Sequence, residues 1–197
     1  MTILPVDLAR AHRLLNHGPT ILISARQGGV DNVMPAAWAS VLDMDPAKVM
    51  VVLDSGARTR ELVEASTHFV MQIPVAGQLS VVDALGTTSL HDMPDKLARS
   101  GVKLFEMPGH DLPLVQGCAA WMVCRLIPEP HNQSTYDLFI GQVEAAWADD
   151  RVFSNGRWHF ETADPAWRTL HHVSGGRYLA IGDILPFNRS PDEGPGA

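Results

Sequence analysis

The chain alternates short apolar runs with polar turns, a pattern typical of β-strands joined by tight connections. One early segment differs, because leucine and alanine recur at helical spacing over 7–16 and predict a first helix. Elsewhere the predicted strands are 20–25, 32–41, 48–53, 68–73, 119–127, 136–145, 157–160 and 177–181. A Gln-Gly-Gly turn is predicted between the first two strands.

Three short helices are predicted between the strands, at 60–65, 78–85 and 94–100. The first follows the polar loop 55–59, where Thr59 is the expected N-cap and Glu61 a favourable first-turn charge. The other two flank a polar loop at 86–93. Because the helices do not alternate regularly with strands, a doubly wound parallel sheet is disfavoured. The pattern predicts a mainly β protein, a closed antiparallel barrel with short helices.

The strand predicted at 119–127 is apolar on both faces apart from Arg125. Such a strand needs a core on one side and a helix or a second subunit on the other, which favours a homodimer. No repeat or linker interrupts the chain before residue 186, so one domain is predicted over 1–185. The segment 186–197 is rich in proline, glycine and charge, and we expect a disordered tail there.

Composition narrows the classes of partner. The 197 residues are 46% hydrophobic and 19% charged, which is ordinary for a water-soluble domain with a sizeable core. The net charge of -7 argues against nucleic acid or an anionic membrane, since both need clustered lysine and arginine. The start of the chain lacks the pattern of a signal peptide, and no apolar stretch approaches the roughly 20 residues of a membrane span.

The two cysteines indicate the compartment. Cys118 and Cys124 lie six residues apart in one predicted strand, about 20 Å along it, which is too far for a disulfide. Two buried thiols are therefore expected. Such thiols are typical of a reducing compartment, so the sequence predicts a cytoplasmic protein.

Motifs of several large enzyme classes are absent from the sequence. It has no nucleophile elbow, no Walker A loop, no G-x-G-x-x-G fingerprint and no H-E-x-x-H pair. The histidines form no metal-ligand pattern, and His171 and His172 would point to opposite faces of a strand. No metal site is predicted, and no side chain is assigned as a catalytic acid, base or nucleophile.

Three segments suit an anion and a flat ring. Small residues around Trp38 in 32–41 would let a ring approach the strand backbone, or else Trp38 anchors a core. The segment 55–59 combines hydroxyls, the Arg58 guanidinium and a helix start into an anion site, or else is an ordinary capped helix. The loop 86–89 (G-T-T-S) is dense in hydroxyls.

The order and spacing of these segments resemble the flavin reductase-like family. The matching segments are N-V-M-P-A-A-W-A-S-V-L-D-M-D-P, S-G-A-R-T-R-E-L-V-E-A-S, H-F-V-M-Q-I-P, A-L-G-T-T-S, D-K-L-A-R-S-G-V, C-A-A-W-M-V-C-R-L, L-F-I-G-Q-V-E-A and H-H-V-S-G-G-R-Y. Each motif is loose, but their order over roughly residues 14–182 is fairly specific. Within the family the chain is most similar to the flavoredoxin-like branch.

The resemblance implies a homodimeric, Greek-key-like FMN-binding split barrel with one FMN per subunit near the dimer interface. By position, the residues bordering the isoalloxazine and ribityl chain would be Pro35, Ala36, Ala37, Trp38, Ala39, Ser40 and Val41. The phosphate would be held by Ser55, Arg58 and Thr59. Those closing over the flavin would be Gly86, Thr87, Thr88 and Ser89, with Lys96 nearby and Tyr178 covering the site from the C-terminal side.

Four positions depart from the family pattern. Gln72 stands where the family usually has asparagine, and Leu97 where it usually has phenylalanine. Leu90 and His91 replace the usual glycine and basic residue after Ser89, and Leu90 would narrow the space above the ring. These changes affect the expected identity of the second substrate more than the expected binding of FMN.

The implied activity is that of a flavin reductase passing hydride from NADH or NADPH to FMN, where the flavin carries the chemistry. The electrons would leave to free flavin, oxygen, or a partner oxygenase or redox protein. Three alternatives stay open: an FMN-holding electron-transfer protein without nicotinamide activity, a barrel that binds another ligand such as haem, and a structural dimer with an empty cleft.

Overall fold

The computed structural model describes residues 18–173 and 175–185. Its strands are β1 (Ile21–Gln27), β2 (Val30–Ala36), β3 (Ala39–Met44), β4 (Ala47–Val52), β5 (His68–Ile73), β6 (Leu104–Met107), β7 (His110–Val115), β8 (Ala120–Ile127), β9 (Leu138–Ala148), β10 (Phe153–Ser154), β11 (Arg157–Trp158), β12 (Leu170–His172) and β13 (Tyr178–Ala180). Its helices are α1 (Arg58–Ser66), α2 (Leu79–Thr87), α3 (Lys96–Ser100) and α4 (Pro130–Tyr136). The predicted helix 7–16 and tail 186–197 lie outside the described residues.

Seven strands form one antiparallel sheet in the order β2-β1-β5-β8-β9-β4-β3. Its two edge strands, β2 and β3, are consecutive in the chain and joined only by Ala37 and Trp38. Seven flat strands would hold their edges about 29 Å apart, which so short a connection cannot span. The sheet therefore curls and brings the end of β2 next to the start of β3. The predicted fold class, a mainly β antiparallel split barrel, is confirmed.

The break between β2 and β3 corrects the single strand predicted at 32–41. Pro35 has no N–H to donate, and the small residues after it give the strand little side-chain packing. At the corner, the N–H of Val52 donates to the Trp38 carbonyl at 3.0 Å and holds the turn against β4. The split of the barrel therefore lies at the small-residue segment that the sequence singled out.

Alternate residues of β1 fill two different cores. Ile21 and Ile23 face the barrel interior, which α1 closes at one end with Leu62. Leu22 faces outward and packs with Leu85 of α2. Both faces of β1 are covered, so its sequence is a continuous apolar run without alternation.

The strand β8 is covered on its outer face by the same chain. Val123 packs with Leu112 of the β6–β7 hairpin, and the indole N–H of Trp121 donates to the Val115 carbonyl at 2.8 Å. The sequence did not predict this hairpin, whose first strand is short and whose second contains Pro113. The expectation that this face needs a helix or second subunit was wrong.

Three local predictions change in the structure. The N-cap of α1 is Ala57, so Thr59 lies inside the first turn and is not the cap. The helix α2 runs through Thr87, which places Gly86 and Thr87 at a helix end and not in a loop. The segment of α4 has no apolar periodicity and was missed, so the strand predicted from Tyr136 begins two residues later as β9.

The cysteine prediction is confirmed. Cys118 and Cys124 are both free and buried. Burial raises the pKa of each thiol to about 12, so both stay protonated and unreactive near neutral pH. Within the described residues, no helix is long and apolar enough to cross a membrane.

Candidate cofactor site

Three clefts meet at the split of the barrel and share Pro35 as a wall. The anion cleft, about 440 Å³, lies between the start of α1, the end of α2 and the segment 88–96. The side chamber, about 300 Å³, lies between β2, α2 and the β12–β13 hairpin. The outer groove, about 410 Å³, lies beside Trp38 and Tyr136. A ligand larger than one cleft could therefore extend past the end of β2.

The start of α1 faces the anion cleft without a side-chain cap. Ala57 at the N-cap has no oxygen on its side chain, and no cap hydrogen bond forms among the described residues. The N–H groups of Arg58 and Thr59 likewise have no partner within this part of the chain. An uncapped helix start presents free donors and the positive end of the helix dipole, which together suit an anion.

Asn32 and Thr59 form a buried polar pair in the same wall. The Asn32 amide donates to the Thr59 hydroxyl at 2.9 Å, and Thr59 retains its own proton for a further bond. The Asn32 Oδ1 atom is buried without a partner among the described residues. Since an unpaired buried acceptor is costly, this oxygen points to a ligand that brings a hydroxyl or N–H donor.

Lys96 adds a buried cation to the cleft. Its side chain is only 4% exposed and has no hydrogen-bond or ion-pair partner among the described residues. Burial lowers the pKa of Lys96 to about 8. A largely buried ammonium group without a counter-charge is unfavourable, and an anion bound in the cleft would offset that cost.

A carboxylate bridge holds the rim of the anion cleft. Glu61 accepts a hydrogen bond from the Arg58 guanidinium, and its other oxygen lies 3.1 Å from Nε2 of His91. The hydrogen bond from Arg58 is the main reason that the pKa of Glu61 lies below its usual range. The bridge ties the loop that contains His91 to the first turn of α1.

Gly86 sets the width of the wall between the clefts. A Cβ atom at Gly86 would lie 2.9 Å from Cγ of Pro35, closer than side chains tolerate. The end of α2 can therefore approach β2 only because this residue is glycine. The contact brings the hydroxyl-bearing residues Thr87, Thr88 and Ser89 to the cleft edge.

The structure brings most of the predicted residues to these clefts. Those that line the anion cleft are Pro35, Arg58, Thr59, Gly86, Thr87, Thr88, Ser89 and Lys96. Ala36 and Ala37 line both other clefts, Trp38 lines the outer groove and Tyr178 the side chamber. Those that line none of the three are Ala39, Ser40, Val41 and Ser55. Ala39 packs on the barrel core, whereas Ser40, Val41 and Ser55 are solvent-exposed.

Eight polar residues of the clefts were not predicted: Thr20, Asn32, Asp54, Asp83, Asp92, Tyr136, Asp137 and His172. They are scattered along the chain between Thr20 and His172, and none belongs to a motif that by itself indicates a ligand. Asn32 is the first residue of the small-residue segment. Its position before an apolar strand is the one signal that could have identified it as a site residue. Asp54 is occupied locally, because it accepts from the N–H of Gly56 at 2.8 Å.

The family follows from comparison with known sequences. A family model described as the flavin reductase like domain matches residues 13–167. The chain belongs to this family. Among curated proteins, it is 40% identical over 182 residues to the uncharacterized protein YddH of Escherichia coli, covering 91% of this chain and 95% of the relative.

Solved structures share the fold. An FMN-binding domain of a flavin reductases-like enzyme from Shewanella baltica is 54% identical with a TM-score of 0.85, covering 93% of this chain and 96% of that one. The flavoredoxin of Desulfovibrio vulgaris is 19% identical with a TM-score of 0.77, covering 95% and 99% respectively. At that lower identity the likeness establishes the fold alone.

Proposed function

We propose that the chain binds FMN in the anion cleft and works as an NAD(P)H-dependent flavin reductase. The observation that carries this is the unpaired, buried Lys96 beside the uncapped start of α1, in a cleft at the split of the barrel. A buried lysine and an uncapped helix start that line the same cleft, in a chain of net charge -7, are best explained by a bound phosphate. The Shewanella relative, an FMN-binding domain, supports this identification.

The residues present fit FMN. The N–H groups of Arg58 and Thr59, with the Lys96 ammonium, would hold the phosphate. The unpaired Oδ1 of Asn32 would accept a hydrogen bond from a ligand hydroxyl or N–H. Backbone groups of the short segment 35–37 are close enough to the shared wall to contact the polar edge of a ring, because its side chains are small.

When bound, FMN supplies the capacity to accept a hydride and to release electrons singly or in pairs. The chain contributes binding, orientation and exclusion of water, for which Leu85 and Leu90 line the anion cleft. Electrons would pass on to free flavin, oxygen, or a partner oxygenase or redox protein. The two free, buried cysteines support a reducing compartment, and we infer that the protein is cytoplasmic.

Anaerobic reduction tests this function. We expect the FMN-loaded protein to show flavin absorption that bleaches on addition of NADH or NADPH. If FMN binds but neither nucleotide bleaches it while dithionite does, the protein is an electron carrier and not a reductase. A protein that takes up no FMN at all would overturn both the cofactor and the reaction.

We further infer a homodimer that forms through β3. The outer edge of β3 has no strand partner within the described chain, and its side chains Val41 and Met44 are 71% and 88% exposed. Leu42, at the β-bulge of this strand, and the neighbouring Trp38 are about half exposed. An open apolar edge favours pairing with another chain. A second copy there would bring Ser40 and Val41 to the subunit interface, where the family resemblance places the flavin.

Light scattering tests the dimer. The wild-type protein should have the mass of two chains. The double variant V41D/M44D should have the mass of one, because two unpaired aspartate charges cannot be buried at the interface. V30D is the matched control, since Val30 is also an exposed strand valine but lies at the β1–β2 turn. A monomeric wild-type protein, or a dimeric double variant, would contradict this interface.

A further inference from the structure

The side chamber differs in chemistry from the anion cleft that it adjoins. Among the described residues, its charged or titratable lining groups are Asp83, His172 and Tyr178, with no lysine or arginine. The chamber shares Pro35 and Gly86 with the anion cleft, so a molecule in it lies directly beside a ligand of that cleft. A volume of about 300 Å³ is at the small end for organic ligands, enough for a single substituted ring.

Asp83 is the chamber's hydrogen-bond acceptor. The Tyr178 hydroxyl donates to its Oδ1 at 3.4 Å, and within the described chain no other donor or cation contacts Asp83. Its second oxygen is available to a ligand. Tyr178 is itself fixed by a tilted contact with the His172 ring, with centroids 5.0 Å apart. The carboxylate is therefore held in place but incompletely satisfied.

Thr20 supplies a second unsatisfied group in the wall. It is 2% exposed, and its backbone N–H donates to the Leu170 carbonyl at 2.7 Å. Its hydroxyl, however, has no hydrogen-bond partner among the described residues. A buried hydroxyl without a partner is uncommon in native proteins and indicates a missing group that accepts or donates.

We propose that the side chamber binds the carboxamide-bearing ring of the nicotinamide co-substrate, with Asp83 and Thr20 selecting an uncharged amide over a carboxylate. An amide NH₂ is a donor for the free oxygen of Asp83, and an amide carbonyl is an acceptor for the Thr20 hydroxyl. A carboxylate offers no donor and would be repelled by Asp83. The inference rests on the proposed reductase function, and it names the residues that would recognise the electron donor.

The test compares nicotinamide with nicotinate, which share one ring and differ only in amide or carboxylate. Ligand-observed NMR titrations would be run on the FMN-loaded protein and on the protein freed of FMN. We expect the wild type to bind nicotinamide at least about tenfold more tightly than nicotinate, because a like charge in a partly shielded wall is strongly unfavourable. Equal binding of the two probes would overturn the proposal.

Two variants assign the preference to its residues. By removing the charge, D83N should reduce the preference for nicotinamide over nicotinate to below about threefold. T20V should weaken nicotinamide binding but leave the preference over nicotinate in place. D150N is the matched control, because Asp150 is an exposed carboxylate remote from the clefts. The D150N protein should prefer nicotinamide over nicotinate as strongly as the wild type does. A D83N protein that still binds FMN normally and keeps the full preference would sink the assignment.

The outcomes also separate this inference from the reductase function. Anaerobic bleaching of the flavin by NADH does not depend on the identity of the amide-binding residues. Bleaching without nicotinamide selectivity would refute the chamber assignment alone. Selectivity without bleaching would support amide recognition in the chamber and refute the reductase.

Discussion

Replacing Lys96 by methionine should weaken FMN binding by about 10- to 100-fold, the usual loss when a charge-assisted bond to a phosphate is removed. Lys96 is buried in the anion cleft and unpaired, so a bound phosphate is its natural counter-charge. Fluorescence titration of FMN measures the change. K103M is the matched control, because Lys103 is exposed and lines none of the clefts.

The pH dependence separates this role from a merely structural one. The free protein protonates Lys96 only below a pKa of about 8, and a bound phosphate raises that pKa. FMN binding should therefore take up a proton above pH 8, and the wild-type affinity should fall by up to about tenfold per pH unit there. In K96M this fall should vanish. K96R stays charged throughout, so its affinity should be weaker than wild type but flat with pH.

The same substitution should stabilise the protein without FMN. The folded-state pKa of about 8 lies below the value of 10.5 for a free lysine, so folding penalises the protonated form. The penalty is complete below pH 8 and disappears as the pH rises towards 10.5. At pH 7 we expect K96M to gain roughly 1–3 kcal/mol in the free energy of unfolding. If K96M is neither more stable nor weaker in binding, Lys96 does not face the phosphate.

The fold could be predicted largely because its strands are strongly patterned. Runs such as 48–53 and 68–73 are apolar, and the strands lie within one residue of those positions. The hairpin β6–β7 and the helix α4 were missed because their residues have weak intrinsic preference. Packing of β7 against β1 and β5, and of α4 against β9, gives them their structure. The prediction of a single strand over 32–41 was wrong for a different reason, because closure of the barrel imposes a corner at Trp38.

The candidate site was predictable where it follows from contiguous motifs. Arg58, Thr59 and the loop 86–89 were found because a helix start and a cluster of hydroxyls carry local signals. Thr20 and Asp83 could not be found, because they are 63 residues apart in the chain and meet only through the barrel and the C-terminal hairpin. Their significance comes from what the folded structure leaves unpaired, and a sequence does not show that.

Gly141 is the position where one added methyl group should destabilise the fold most. It lies in the middle of the sheet, where β9 pairs with Val49 of β4 and Leu126 of β8. A Cβ atom there would lie 2.5 Å from Cζ of Phe69 and 2.9 Å from Cβ of Cys124, both fully buried. G141A should lower the free energy of unfolding by roughly 2–4 kcal/mol, at or slightly above the usual cost of overpacking a dense core.

Denaturant unfolding followed by circular dichroism measures this loss, and G182A is the control. A Cβ atom at Gly182 meets nothing within 4 Å, so G182A should lie within about 0.5 kcal/mol of the wild type. Because the clash is chiefly with the Phe69 ring, the double variant G141A/F69L should lose less stability than the sum of the two single losses. Additive losses would show that the backbone of β9, and not the aromatic ring, requires glycine at this position.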